Sequence, residues 1–146
     1  MKNLNLKSLA ILGLFFMLAV ASAHAQSGSR VETNIPFDFA AGETKFKAGE
    51  YSVKRISKDA LLLKSADQKT SAIVQAPESV SQTRNDSPER LVFHRYGNEY
   101  FLAQVWLSKG ADGRAIYPSK TERQRARELA RNNAKPTNVE VAARGN

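Results

Sequence analysis

The chain contains no cysteine. That removes a disulfide framework, a thiolate zinc site, a cysteine nucleophile and a lipobox attachment in one step. Histidine is almost as scarce. Of the two present, His24 falls in the leader described below, so imidazole chemistry in the rest of the chain rests on His94 alone. There is no His-x-x-His pair and no Asp-x-Asp-x-Asp loop, and the acids are scattered singly, so neither a metal centre nor another cofactor is expected. No serine motif or cysteine partner accompanies His94.

Only one long apolar run is present, over residues 9–21. It is shorter than the ~20 residues that span a bilayer. It follows Lys2 and Lys7 and precedes Ala23-His24-Ala25, which places small residues at the two positions a signal peptidase reads. The pattern predicts a signal peptide over residues 1–25, export to the periplasm or the extracellular medium, and no transmembrane segment in the mature chain. The remainder is sized for one domain. It divides into a polar leader at 26–30, a β domain at 31–118, a basic helix at 119–131 and a disordered tail at 132–146.

The formal charge of +8 becomes +6 once Lys2 and Lys7 are removed. Residues 26–118 carry 13 basic against 11 acidic side chains, and residues 119–146 carry 7 against 3, so the C-terminal part is the basic one. An exported chain of this kind meets anionic lipid, lipopolysaccharide or wall polymer, and nucleic acid is not an expected partner. The sequence leaves the oligomeric state open.

Branched and aromatic residues in short alternating runs, broken by Gly, Asn and Asp, predict strands at residues 31–39, 50–56, 60–65, 70–76, 90–96 and 99–107, with a seventh at 114–117. Pro36 argues for an edge or a bulge in the first of these, since it has no N–H to give a ladder. The polar stretch 78–89 reads as the longest break within the domain. Gly97-Asn98 suits a type II′ hairpin turn, while Glu99 as a third loop residue would change every cross-strand pair. Both faces of that hairpin are apolar, which predicts a central position. Ser119 with Glu122 three residues later has the spacing of a capping box, and good helix formers follow.

Four sets of residues are candidates for function. His94 lies beside Phe93 in a strand, where a hydrogen-bonded structural role competes with acid–base catalysis. Asp38, Glu43, Glu50 and Glu99 could pair as the acid and base of a glycosidase-like hydrolase, or simply dress a soluble surface. Tyr96, Tyr100 and Trp106, with Phe101 and Arg95 nearby, could form an aromatic platform for a sugar ring or a base, against core packing as the plainer reading. Lys120, Arg123, Arg125, Arg127 and Arg131 make the helix basic. Ala126, Leu129 and Ala130 form too thin a stripe for bilayer insertion, so electrostatic contact competes with a solvated helix covering the sheet.

Asn34-Ile35-Pro36-Phe37-Asp38-Phe39 with Ala41-Gly42, then Phe46-Lys47-Ala48-Gly49-Glu50-Tyr51-Ser52-Val53, then Leu91-Val92-Phe93-His94-Arg95-Tyr96-Gly97 with Tyr100-Phe101-Leu102, together resemble a group of small exported β-rich proteins of soil bacteria, notably acidobacteria, that lacks an assigned function. The likeness covers most of residues 31–131. Its motifs describe strands and turns, so it implies the architecture and transfers no site residue. Lys47 stands where that group usually has proline before Ala-Gly-Glu-Tyr.

The fold expected from these residues is mainly β: a small antiparallel β-barrel or β-sandwich of six to seven strands with a C-terminal α-helix. The function expected is a non-enzymatic binding or structural role in the cell envelope. Two alternatives stand beside it. One is a small extracytoplasmic hydrolase using clustered carboxylates or His94, and the other is an adaptor that contacts anionic envelope polymers through the basic helix.

Overall fold

Period-two alternation builds most of the elements in the computed structural model, which describes residues 29–81, 86–110 and 112–145. The signal peptide expected over residues 1–25 lies outside the described residues, as do residues 26–28 of the leader. The strands are β1 (Arg30–Ile35), β2 (Phe39–Ala41), β3 (Thr44–Phe46), β4 (Gly49–Arg55), β5 (Ala60–Ser65), β6 (Ser71–Gln75), β7 (Glu78–Val80), β8 (Arg90–Tyr96), β9 (Glu99–Trp106), β10 (Gly113–Ala115), β11 (Thr137–Ala142) and β12 (Arg144–Gly145), with helix α1 (Lys120–Arg131) between β10 and β11.

They form two sheets. The first has the order β12-β1-β4-β5-β6, and the second β11-β8-β9-β10-β7, with β2 joining β9 and carrying β3. Each path has free ends, so neither sheet closes into a barrel, and that part of the expectation is corrected. The strand count also exceeds the six or seven expected. The run 31–39 is two strands, broken at Pro36-Phe37-Asp38, because a proline cannot donate to a ladder and here lies just beyond β1. β1 itself is interior, between β4 and β12.

One apolar cluster lies between the sheets. Val31, Ile35, Tyr51, Val53, Leu61, Leu63 and Val74 enter it from the first sheet, and Leu91, Phe93, Leu102 and Val105 from the second. The odd-even mismatch between Leu102 and Val105 is resolved by a bulge: Val92 faces Gln104 while Phe93 faces Leu102, which leaves Ala103 as the extra residue. The bulge keeps both Leu102 and Val105 on the core side. β8 pairs with β11 and β9 on its two edges, so the hairpin is central as expected. Tyr96 pairs with Glu99, which makes Gly97-Asn98 a two-residue turn. Gly97 has φ of 61°, as the first position of a type II′ turn requires.

Where a disordered tail was expected over residues 132–146, the described residues include two strands, β11 and β12. β11 pairs along its whole length with β8, from Thr137↔Arg95 to Ala142↔Arg90, and β12 pairs with β1. Between them the Ala143 N–H donates to the Glu89 carbonyl at 3.0 Å. The Thr33 hydroxyl donates to the Ala142 carbonyl at 2.8 Å. The tail therefore passes from one sheet to the other. Val139, Val141 and Ala143 pack against the core, and this alternation supplies the apolar edge that the otherwise open side of β8 needs.

Helix α1 starts at Ser119, whose Oγ accepts the Glu122 N–H at 3.0 Å. Asn133 at φ 52° follows its last turn, a left-handed stop. Among the described residues no helix is long and apolar enough to cross a membrane.

Candidate functional site

Residues opposite one another in a ladder share a face, so the side of the second sheet turned away from the core carries Val92, His94 and Tyr96 of β8 with Phe101 and Glu99 of β9. Helix α1 lies on this side. Glu122, 5 % exposed, places Oε1 2.8 Å from His94 Nδ1. Burial pushes the Tyr96 phenol above its ordinary value, and the nearby Glu122 charge adds to that shift. A second carboxylate, Glu99, accepts from Arg125 Nε at 2.5 Å. The Glu99 contact first, and then Glu128, raise the Arg125 guanidinium. A third, Glu43, accepts the Lys120 backbone N–H at 3.0 Å, where a negative charge also complements the helix dipole. Three carboxylates thus dock the helix, two of them near its first turn.

At that end of α1 a cleft of about 360 Å³ opens between the β2–β3 hairpin and the β8–β9 turn. It brings together three of the four acids singled out in the sequence, Asp38, Glu43 and Glu99, while Glu50 lies elsewhere. Each of the three has a partner of its own. Asp38 takes the Lys47 ammonium at 2.8 Å and the Ala48 N–H at 2.9 Å. These contacts, the Lys47 one first, hold its carboxyl below the usual carboxylate range. Among the described residues no group of three or more His, Asp or Glu is placed to hold a metal ion.

Tyr96, Tyr100 and Trp106 do not share a surface. Tyr96 is buried on the helix side. Tyr100 is stacked on Phe37 with centroids 3.9 Å apart. Trp106, 3 % exposed, stands at the far end of β9 beneath the Arg90 guanidinium, 4.3 Å from its ring.

The helix cations divide into two groups. Arg125 is held by Glu99 and Glu128, and Arg123 lies 5.6 Å from the Tyr117 ring and donates to the Pro118 carbonyl. Lys120, Arg127 and Arg131 are exposed and form no ion pair among the described residues.

A larger concavity, about 690 Å³, crosses the open face of the first sheet from Arg144 on β12 to Gln68 in the β5–β6 turn. Arg30, Glu32 and Asn34 of β1, Glu50, Ser52 and Lys54 of β4, and Leu62 and Lys64 of β5 line it. This set is not visible in the sequence. Each strand shows its polar face by alternation, but only the registers Glu32↔Ser52, Ser52↔Lys64 and Glu32↔Arg144 bring the charges together. The spacing to Ser119 shows only a capping role for Glu122, since its meeting with His94 depends on where α1 lands. No family model, no curated protein and no solved structure matches this chain, so the site rests on its geometry.

Proposed function

We propose that the protein acts after export as a non-enzymatic binding module that contacts an anionic envelope surface through the outward face of helix α1. The observation that carries this reading is the contrast between two sets of charges. The groups able to do acid–base chemistry are held in structural contacts: His94 by Glu122, Glu43 by the helix N-terminus, Glu99 by Arg125 and Asp38 by Lys47. A glycosidase acid needs a raised pKa, and the Lys47 contact moves Asp38 the other way. Lys120, Arg127 and Arg131, in contrast, are exposed and form no direct ion pair among the described residues, and only Arg131 feels a nearby carboxylate, that of Glu128. Ala126 and Leu129 are half-buried and Ala130 is a small side chain, so the exposed face of α1 offers little apolar surface and contact is electrostatic and sensitive to salt.

The test is binding of the mature chain to vesicles containing anionic lipid, and to lipopolysaccharide, at low and at physiological salt. Binding that weakens as salt rises and that falls in a Lys120→Glu/Arg127→Glu/Arg131→Glu variant supports the reading. Equal binding by variant and wild type overturns it. Export itself is tested by the intact mass of the protein recovered from a secreting host, where retention of residues 1–25 would show an anchor in place of a signal.

A further inference from the structure

We infer that the concave face of the first sheet is a second, separate site, built to hold a short stretch of an anionic glycan. The inference rests on the reading of the protein as an exported binding module, and it concerns a surface on the other sheet from helix α1.

The groove has a cationic end and a polar end. Arg30 and Lys54 are direct cross-strand partners. Arg144 and Lys64 flank the Glu32–Ser52 pair from the outer strands β12 and β5. With strands about 4.8 Å apart, the three steps from Arg144 to Lys64 cover about 14 Å, and the next row of the sheet lies about 7 Å away along the strands. Four cations therefore fall within an area the size of a few sugar rings. Two of them are partly engaged: Arg30 with Glu32 at 2.8 Å, and Lys64 with the Gln68 amide at 3.1 Å. Lys54 and Arg144 have no ion pair or side-chain hydrogen bond among the described residues. At the other end, Asn34 and Glu50 are paired across β1 and β4, and the Glu50 carboxylate has no side-chain partner among the described residues.

Such a face discriminates among anionic partners. Its volume lies in the range of small-ligand sites. A flat bilayer does not reach into a concavity, and Leu62 is the one large aliphatic residue in the lining, so nothing there inserts into lipid. The same lack of an apolar centre argues against a protein interface. A glycan strand has what the groove asks for. Its carboxylate or phosphate groups meet Lys54, Arg144, Arg30 and Lys64, while its hydroxyl or amino groups meet Asn34, Ser52 and the acceptor Glu50. The far wall is preformed, because the β5–β6 turn is fixed by Ser65 and Asp67. The Ser65 hydroxyl donates to Asp67 at 2.5 Å and accepts the Thr70 N–H at 3.1 Å, and Asp67 accepts the Lys69 N–H at 3.0 Å.

The experiment measures binding of an oligogalacturonate tetrasaccharide to the mature chain at low salt by calorimetry, with maltotetraose as the uncharged control and inorganic polyphosphate as a separate arm. The oligouronate should bind and maltotetraose should not. A Lys54→Glu/Arg144→Glu variant should lose at least tenfold in affinity while its far-UV spectrum and melting temperature stay near wild type. A single Lys54→Gln variant, which carries less risk to folding, should lose affinity in the same direction. Polyphosphate binding as tight as that of the oligouronate, with the same dependence on Lys54 and Arg144, would show that the cations read anionic groups without the sugar and would overturn the glycan assignment, whereas markedly weaker polyphosphate binding supports it. The inference is overturned if the oligouronate does not bind, if the groove variants bind it as well as wild type, or if maltotetraose binds equally. The helix variant Lys120→Glu/Arg127→Glu/Arg131→Glu should keep oligouronate binding. If it loses vesicle binding and keeps the oligouronate, the two surfaces are independent. If vesicle binding is absent in every protein while the groove still takes the oligouronate, the helix reading fails and the groove stands.

Discussion

His94 Nδ1 lies 2.8 Å from Oε1 of Glu122, a residue 28 positions later in the chain, and this contact ties helix α1 to the central strand β8. The Glu122 side chain is 6 % exposed and that of His94 31 %. A carboxylate buried to this degree needs its partner, because an unsatisfied polar group inside the protein costs about 1–3 kcal/mol. Glu122→Ala and His94→Ala should each lower stability, the second more, since it leaves the buried carboxylate without its partner, whereas the more exposed His94 can turn to water when Glu122 is removed. The double variant should lose less than the sum of the two. Strict additivity in a denaturant-unfolding cycle would show that the pair is not coupled.

The docking of α1 explains what was legible in the sequence and what was not. Ser119 and Glu122 are three residues apart, so a cap is a local matter, and the Glu122 N–H does bond to Ser119. The carboxylate is another question. A reciprocal box would turn it back to Ser119, but its Oε1 goes to His94, a choice set by tertiary placement. The central hairpin was legible because two apolar faces leave no side for water. Its bulge at Ala103 was not, since alternation over eight residues reads equally well with or without one extra position. Val139 and Val141 carried a period-two signal in the tail, weak beside its Asn, Arg and Lys content. The groove was the least legible feature, because its cations come from four strands and only the registers collect them.

The tail should be part of the folding unit. β11 and β12 together pair with both sheets, and removing them exposes the ladder of β8 and the core contacts of Val139, Val141 and Ala143. A chain ending at Lys135 loses about 2 kcal/mol or more from the two half-buried valines alone. Its melting temperature should fall markedly, and hydrogen exchange at β8 should rise. An unchanged melting temperature would mean that the pairing adds nothing in solution.

Acid should destabilise the protein through specific carboxylates. Hydrogen bonds from Lys47 and Ala48 lower Asp38, those from Ser65 and the Lys69 N–H lower Asp67, and those from Arg125 and Gln124 lower Glu128. A folded-state pKa below the unfolded one gives stability that is complete above the ordinary values of 3.8 and 4.5 and is lost as pH falls through the lower folded values. The melting temperature should therefore hold down to about pH 5 and drop below it. Asp67→Asn should flatten the drop, and a variant that retains its full acid slope would remove Asp67 from the account.

Alkali should act through the phenols. Burial is the main reason that both Tyr51 and Tyr96 are raised above the ordinary 10.0. The unfolded chain then gives up these protons before the folded one does, so stability falls as pH rises past 10. An absorbance titration at the phenolate band should show a late phase that coincides with loss of structure. In Tyr96→Phe that phase should shrink. If all the phenolate signal develops before the far-UV spectrum changes, neither tyrosine is held by the fold.

Gly113 on β10 faces the Trp106 ring so closely that a Cβ added there would stand 2.6 Å from Cε2 and 2.7 Å from Cδ2. Both atoms belong to a rigid indole already covered by Arg90 on another side, so the ring has little room to yield. Gly113→Ala should cost about 1–3 kcal/mol as an overpacked site, whereas Trp106→Ala should cost about 3–5 kcal/mol through lost burial and a cavity. The two effects oppose one another in shape. Gly113→Ala combined with Trp106→Phe should therefore be more stable than the sum of the single variants allows, because the smaller ring frees space for the methyl group. Trp106 is the only tryptophan, so its emission reports this contact directly. The wild type should emit as a buried indole, and Gly113→Ala should shift the emission towards that of indole in water. If Gly113→Ala leaves both emission and stability unchanged, the close approach of β10 to Trp106 is absent in solution.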